Sequence, residues 1–306
     1  MHRAEAWLKR YGRPLEAARW DFLFRGGSAE RVLHYLSAFQ NEDGGFGHGL
    51  EPDFWLPASS PMATWMAGQI LVEVQAAAGE SMVKSMLDYL IQTPQVQPGM
   101  WASVLPGNNQ YPHAPWWHWQ EDAQEIWMFN PSVELAALLL RWSPEGSVGA
   151  RLGWESLKRA VPRVMQAASM ERHELSNYRK CVSLLAPHKE RFNILMEHSL
   201  DEVRQKLDAL TRFVIDKDVC NWDKGYKALP LDFIQSPYDP LYHEFRELVH
   251  ENLRFYLAQR TEDGLWGITW SWVDFPEDFA VARRYWQGIL AVERYKVLKA
   301  FEEDLG

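Results

Sequence analysis

The chain has 306 residues, with 32 Lys and Arg against 41 Asp and Glu, a formal charge of −9. That acidic balance excludes the basic face a nucleic-acid binder needs to neutralise phosphates. The purest apolar run, Ala136–Leu140, stops at Arg141, far short of the roughly 20 residues a spanning helix requires, so no transmembrane segment is expected.

Hydrophobic residues make up 47% and charged residues 24%, which predicts a packed core. Met1–Tyr11 mixes charges with single apolar residues and lacks the apolar block of a signal peptide. Only Cys181 and Cys220 are present, so no disulfide framework is expected and the reading is cytoplasmic.

Apolar residues recur at helical spacing through most of the chain, and no segment reads as a convincing strand. The pattern predicts helices over 14–24, 28–39, 61–78, 81–93, 131–142, 148–168, 171–185, 199–214, 240–257 and 276–303. Pro162 is expected to kink the sixth and Gly288 to divide the last, and a short helix fits 188–197. Ser60-Pro61, Asn130-Pro131 and Asp239-Pro240 each set a capping side chain before a Pro at the first helical position, where a missing N–H costs nothing. Ser199–Glu202 spells a capping box. The segments 94–129 and 215–238 read as long irregular loops, which in compact domains serve function or cover a site. With no Ser/Gly linker, the expectation is a single domain over 1–306.

Sixteen Trp exceed what a core needs. Trp116-Trp117-His118-Trp119 and Trp270-Ser271-Trp272 fall outside the helical pattern, where indole faces suit a ligand cavity.

The chain also repeats itself. Gln40-Asn-Glu-Asp43-Gly44-Gly-Phe46-Gly47 matches Gln259-Arg-Thr-Glu-Asp263-Gly264-Leu-Trp266-Gly267, and Tyr89–Gln92 with Gly99-Met-Trp101 forms a degraded third copy. Glu42-Asp43 and Glu262-Asp263 belong to the repeated turn and are read as structural. This Gln, spacer, Gly-x-Trp/Phe pattern resembles the repeat of the terpenoid-cyclase and protein-prenyltransferase superfamily, including squalene–hopene cyclases, in a bacterial branch. Asp43–Gly47 followed by the start Ser59-Ser60-Pro-Met-Ala-Thr64 is similar to its DGGFG block. The resemblance covers about 35–65 and 253–267. It implies an all-α fold, an (α/α) toroid of ten to twelve helices in inner and outer rings with the termini close together.

The acid motif of alkene-protonating cyclases is replaced by Ser59-Ser60 at the first inner-helix start. Asp274, Glu277 and Asp278 cluster near the second repeat and read either as helix caps or as an acid site. Diphosphate-binding Asp motifs are missing. Asp218-Val-Cys220, with His243 and His250 downstream, has the local spelling of a prenyltransferase zinc site, but Cys220 is read as an ordinary buried thiol. No metal or cofactor is expected.

Three segments are the candidate site. The turn after the first repeat supplies His48, Glu51 and Asp53 as catalytic residues and Trp55 as a binding residue. The long loop supplies His113, Trp116, Trp117 and Trp119, and the second repeat supplies Trp270, Trp272, Asp274 and Glu277. Asp53 and Asp274 both follow a copy of the turn and precede a helix, so they are expected to face one cavity covered by Trp116 or Trp117. His34, His173, His188 and His198 are assigned no role. The leading reading is an isoprenoid-handling enzyme acting on a neutral apolar substrate. A carbohydrate hydrolase with paired carboxylates and a non-catalytic binding toroid are the alternatives. The sequence leaves the oligomeric state open.

Overall fold

The computed structural model describes residues 1–93, 95–97 and 99–302. Among these, the regular structure is thirteen α-helices, six short 3₁₀ turns and one short hairpin. In chain order the first are α1 (His2–Tyr11), α2 (Pro14–Arg25), α3 (Ala29–Leu36), α4 (Pro61–Glu73) and α5 (Ser81–Gln92). Strands β1 (Gln95–Gln97) and β2 (Met100–Trp101) pair antiparallel, Gln95 opposite Trp101 and Gln97 opposite Met100. Then come α6 (Ala123–Trp127), α7 (Ser132–Trp142), α8 (Val148–Gln166), α9 (Arg172–Leu184) and α10 (Lys189–Leu195). The series closes with α11 (Leu200–Val214), α12 (Tyr242–Ala258) and α13 (Pro276–Ala300). The all-α expectation is met. No helix among the described residues is long and apolar enough to cross a membrane.

The chain divides into two compact units, residues 36–214 and a second formed by 1–35 with 215 onward. The centre of the 36–214 unit is α7. Its residues Leu135 to Leu140 are buried all round, which requires cover on every side. That cover comes from α8, α9 and α4. Gly68 of α4 makes the approach to α7 possible, because a Cβ there would stand 2.3 Å from Leu138 Cδ1. In the other unit α2 packs on α1 and α13. Trp20 sits edge-on to Tyr295 with ring centroids 5.1 Å apart, and Tyr295 meets Trp266 at 5.3 Å. Arg13 is buried with Glu16, which it holds through two parallel bonds of 2.8 Å.

Several helix ends follow the caps read in the sequence. Ser60 Oγ accepts Ala63 N–H, and Ser199 and Glu202 bond each other's backbone amides as a capping box. Others differ for physical reasons. Asn130 does not cap α7. Its side-chain oxygen accepts Asn177 Nδ2, Pro131 holds the cap position, and the helix starts at Ser132. Asp239 holds the Leu241 amide, so α12 begins later, at Tyr242. The predicted 61–78 helix stops at Glu73 because Gln75 turns left-handed (φ 56°) and Ala76 N–H folds back to Leu71 O. Gly288 does not divide α13. It lies inside one continuous helix, where a Cβ would stand 3.5 Å from Glu16 and Leu8. Likewise α8 continues through Pro162. Helix α1 escapes the sequence pattern because it buries only Ala4 and Leu8, too thin an apolar stripe to register. Residue 303 of the predicted last helix, and Pro94 and Pro98 of the predicted loop, lie outside the described residues.

The repeat is real at the level of backbone bonds. In the first copy Asn41 N–H bonds Gly45 O and Gly44 N–H bonds Asn41 O, both at 2.9 Å. In the second, Thr261 N–H bonds Leu265 O at 2.8 Å and Gly264 N–H bonds Thr261 O at 2.9 Å. Gly44 and Gly264 take φ values of 88° and 81°, which L side chains rarely adopt. The aromatic folds back as expected, since Trp266 Nε1 donates to Tyr256 O and, in the third copy, Trp101 Nε1 donates to Leu90 O. This alignment of turns sets Gln40 against Arg260 rather than Gln259, which is exposed one residue earlier.

Candidate functional site

The first repeat turn is anchored by its own side chains. Gln40 Nε2 donates to Gly44 O at 2.9 Å and to Met82 O of α5 at 3.1 Å. Asp43 Oδ1 accepts Gly45 N–H and Ser59 Oγ, which keeps this acid structural as read from the sequence. Asn41 Nδ2 donates to Pro57 O, so its oxygen is the acceptor for His48 Nε2 at 2.8 Å, and His48 carries its hydrogen on Nε2. His48 is exposed in a left-handed conformation (φ 55°) between two glycines.

Downstream of His48 the turn goes inside. Glu51 and Asp53 are 6% and 3% exposed, unusual for carboxylates. Glu51 Oε2 accepts the Asp53 amide, which fixes the two residues in one tight turn. The long loop then lies along this turn as a second strand. Phe54 pairs with His113, Asp53 O accepts Ala114 N–H at 2.7 Å, and Trp55 N–H donates to Pro112 O at 2.9 Å. An aromatic stack follows, Phe54 to Trp117 at 5.0 Å and Trp117 to Trp127 of α6 at 4.4 Å with nearly parallel rings.

His113 Nδ1 faces Tyr111 O at 2.6 Å and must donate there, which leaves Nε2 to accept His118 Nδ1–H at 3.0 Å. His113 is buried and His118 exposed, so the imidazole pair links the interior of the loop to solvent. Trp119 is pinned by two bonds with Asn109, and Trp116 is 39% exposed. Two of the three expected segments therefore meet: Glu51, Asp53 and Trp55 with His113 and Trp117.

The third segment belongs to the other unit. There Trp270 meets Tyr226 and Trp286 edge-on, with centroids at 5.9 and 5.3 Å. Trp272 is buried against Phe279. Asp274 and Glu277 are exposed. Neither side chain caps α13, whose cap position is held by Phe275 with a left-handed backbone and no side-chain capping hydrogen bond. Cys220 is exposed, which corrects its reading as a buried thiol; Cys181 is the buried one. Asp218 binds Asn221, and among the described residues no group of three or more His, Cys, Asp or Glu is placed to hold a metal ion.

One acid was missed in the sequence. Glu134 lies in the first turn of α7 and is 2% exposed. Trp65 of α4 donates its indole N–H to Glu134 Oε2 at 2.6 Å, and Gln69, one turn on, donates to both carboxyl oxygens at 3.1 Å. Burial pushes this carboxyl's pKa up; the charge of Lys180 and the Trp65 and Gln69 bonds pull it down without cancelling that effect. The signal was a single acid opening the apolar run Val133–Leu140, and an acid in a first turn reads as a helix-dipole partner.

Comparison of the chain with protein-family models, curated proteins and solved structures gives no match.

Proposed function

We propose that the chain is an enzyme that handles a neutral, apolar, isoprenoid-type substrate by acid–base chemistry, within an (α/α) toroid related to terpenoid cyclases. The observation that carries this reading is the pair Glu51 and Asp53, buried in one turn and closed over by a loop that brings His113 and the Phe54–Trp117–Trp127 stack against it. Two carboxyls held out of water supply proton transfer, and π faces beside them stabilise developing positive charge. In this reading Asp53 and Glu51 serve as acid and base, His48 and His113 order the turn, and Trp55, Trp116, Trp117 and Trp119 line the approach. The second repeat holds its own aromatic and acidic cluster, Trp270, Trp272, Asp274 and Glu277, in the other unit. The net charge of −9 disfavours a diphosphate ester and favours an uncharged substrate.

A second reading, a carbohydrate hydrolase, draws on Trp55 and Trp116, whose partly exposed indoles are suited to stacking on sugar rings. A thermal-shift screen of polyprenols against oligosaccharides separates the two, since a ligand at 100 times its Kd stabilises by about 2.7 kcal/mol. Asp53→Asn should then abolish turnover of the ligand found while melting like the wild type. Full activity in Asp53→Asn would reject the site, and stabilisation by oligosaccharides alone would reject the isoprenoid reading.

A further inference from the structure

His118 lies on the loop that closes over the Glu51–Asp53 turn. It is exposed, yet its backbone and its ring are both held in place. Its own N–H donates to Pro115 O at 3.2 Å. The peptide before it is held by Asn108, a buried side chain whose Nδ2 donates to Trp117 O at 3.1 Å. The residue after it is held twice by Asn109, which accepts Trp119 N–H at 2.7 Å and donates to Trp119 O at 3.1 Å. The ring is fixed through His113. Tyr111 O takes the Nδ1 hydrogen of His113, so His113 Nε2 is an acceptor and His118 Nδ1 carries the hydrogen that meets it at 3.0 Å. A neutral imidazole has one such hydrogen. With it placed on Nδ1, His118 Nε2 is a bare lone pair, and it meets no hydrogen-bond partner among the described residues. A donor to His113 needs none of the backbone clamps, since water donates equally well at the surface. Ordering an exposed ring costs conformational entropy, which a site tolerates where binding depends on the direction of a lone pair.

From this arrangement we infer that His118 is a specificity-determining residue: its Nε2 accepts the O–H of a hydroxyl group on the ligand, with His113 as the positioning residue. The inference rests on the reading of this loop and turn as the site for a neutral apolar substrate, and it narrows that substrate to an alcohol. A lone-pair acceptor makes a distinction that an apolar wall cannot. An alcohol donates to it, whereas the matching ether or hydrocarbon offers the same apolar surface and leaves the acceptor unmet. Trp116, 39% exposed, and Trp119, half-buried, stand on either side in the chain and give the carbon skeleton an aromatic surface. The lone pair has nothing to offer an anion, in keeping with the net charge of −9. A hydroxyl is the shared chemistry of a prenyl alcohol and a sugar, and the prenyl alcohol is the form that the isoprenoid reading requires.

The test compares farnesol with farnesyl methyl ether, which lacks only the donor hydrogen. Calorimetric titration of the wild-type protein should show farnesol binding about tenfold more tightly than the ether. His118→Phe keeps a planar ring and removes the acceptor, so it should bind the two alike, with its affinity for the ether unchanged. His113→Phe should narrow the preference as well, again at unchanged ether affinity, because the His118 ring loses the acceptor that directs it. A measurement on the wild-type protein gives an independent check should either variant fail to fold. Long-range proton–nitrogen NMR spectra should report His118 as the Nδ1–H tautomer, and its Nε2 resonance should move on addition of farnesol but not of the ether. An Nε2–H tautomer, equal affinity of the wild type for alcohol and ether, or a preference that survives in His118→Phe would overturn the assignment. The isoprenoid reading fails separately, if oligosaccharides bind in place of farnesol with an affinity that His118→Phe removes. Binding of neither class rejects both.

Discussion

The backbone of Asp53 and that of Ala114 are joined by a hydrogen bond of 2.7 Å, which clamps the long loop onto the turn that follows the first repeat. Together with the Trp55 N–H bond to Pro112 O, it holds the two segments in register across the Phe54–His113 pair. Ala114→Pro removes that donor from the buried Asp53 carbonyl, at a cost of about 1–3 kcal/mol. Urea unfolding should show the loss, and Trp116 and Trp117 emission should move to the red as the loop lifts. An unchanged midpoint and spectrum would mean the side-chain stack alone holds the loop.

The two repeat turns predict unequal consequences for their glutamines. Gln40 ties the first turn to itself and to Met82 O, so Gln40→Ala leaves half-buried carbonyls short of a donor and should cost about 1–2 kcal/mol. Gln259 sits one residue out of step with the second turn and is exposed, so Gln259→Ala should stay within about 0.5 kcal/mol of the wild type. Thermal melts of the two variants side by side decide the matter; equal losses would contradict the alignment of the turns.

Arg13 and Glu16 form a bidentate ion pair at 6% and 1% exposure, and Arg13 also stands over the Tyr285 ring at 5.1 Å. Removing the carboxylate takes from the buried Arg13 its bidentate partner. Glu16→Ala should therefore destabilise the protein by about 3–5 kcal/mol, measured by denaturant titration, whereas Arg13→Met with Glu16→Leu together should recover most of that loss. A small effect of the single change would show that water reaches Arg13.

The pH dependence of stability carries the sign of Glu134. Its folded pKa lies above the ordinary carboxylate value, so the folded state binds the proton more tightly than the unfolded chain does. Stability from this group is fully present below the unfolded pKa and is lost as pH rises through the folded one. Glu134→Gln has no proton to lose. The unfolding free energy of the variant minus that of the wild type should grow between pH 4 and pH 8, and a difference that shrinks with pH would mean the carboxyl is ionised in the fold.

Much of the helical framework was legible because it rests on local chemistry. Ser60-Pro61 and the Ser199–Glu202 box are caps made by residues adjacent in the chain, and the apolar period fixes α5, α8 and α11 to within two residues at either end. Asn130 shows where this stops: the same side chain could cap α7 or reach Asn177, and only the packing of α9 on α7 decides. The meeting of the Glu51–Asp53 turn with the His113–Trp117 loop was readable as an association of aromatic and acidic segments, while the strand-like pairing of Phe54 with His113 was not, since one bridge leaves no period-two pattern. Glu134 was invisible for a related reason. Its neighbours Trp65 and Gln69 lie some 65 to 70 residues away in the chain, and their spacing by one helical turn gains meaning only when α4 and α7 are in contact.

Gly68 supplies that contact, and it stands in α4 between Trp65 and Gln69. A Cβ there would stand 2.3 Å from Leu138 Cδ1, so a larger residue fits only if the Leu138 side chain turns away or α4 moves off α7, and the second course lengthens the bonds to Glu134. Positions 65, 69 and 134 are thus linked to the pair 68 and 138. A descendant of this chain that acquires a side chain at 68 and keeps the acid's donors in place has to give up space at 138 in exchange.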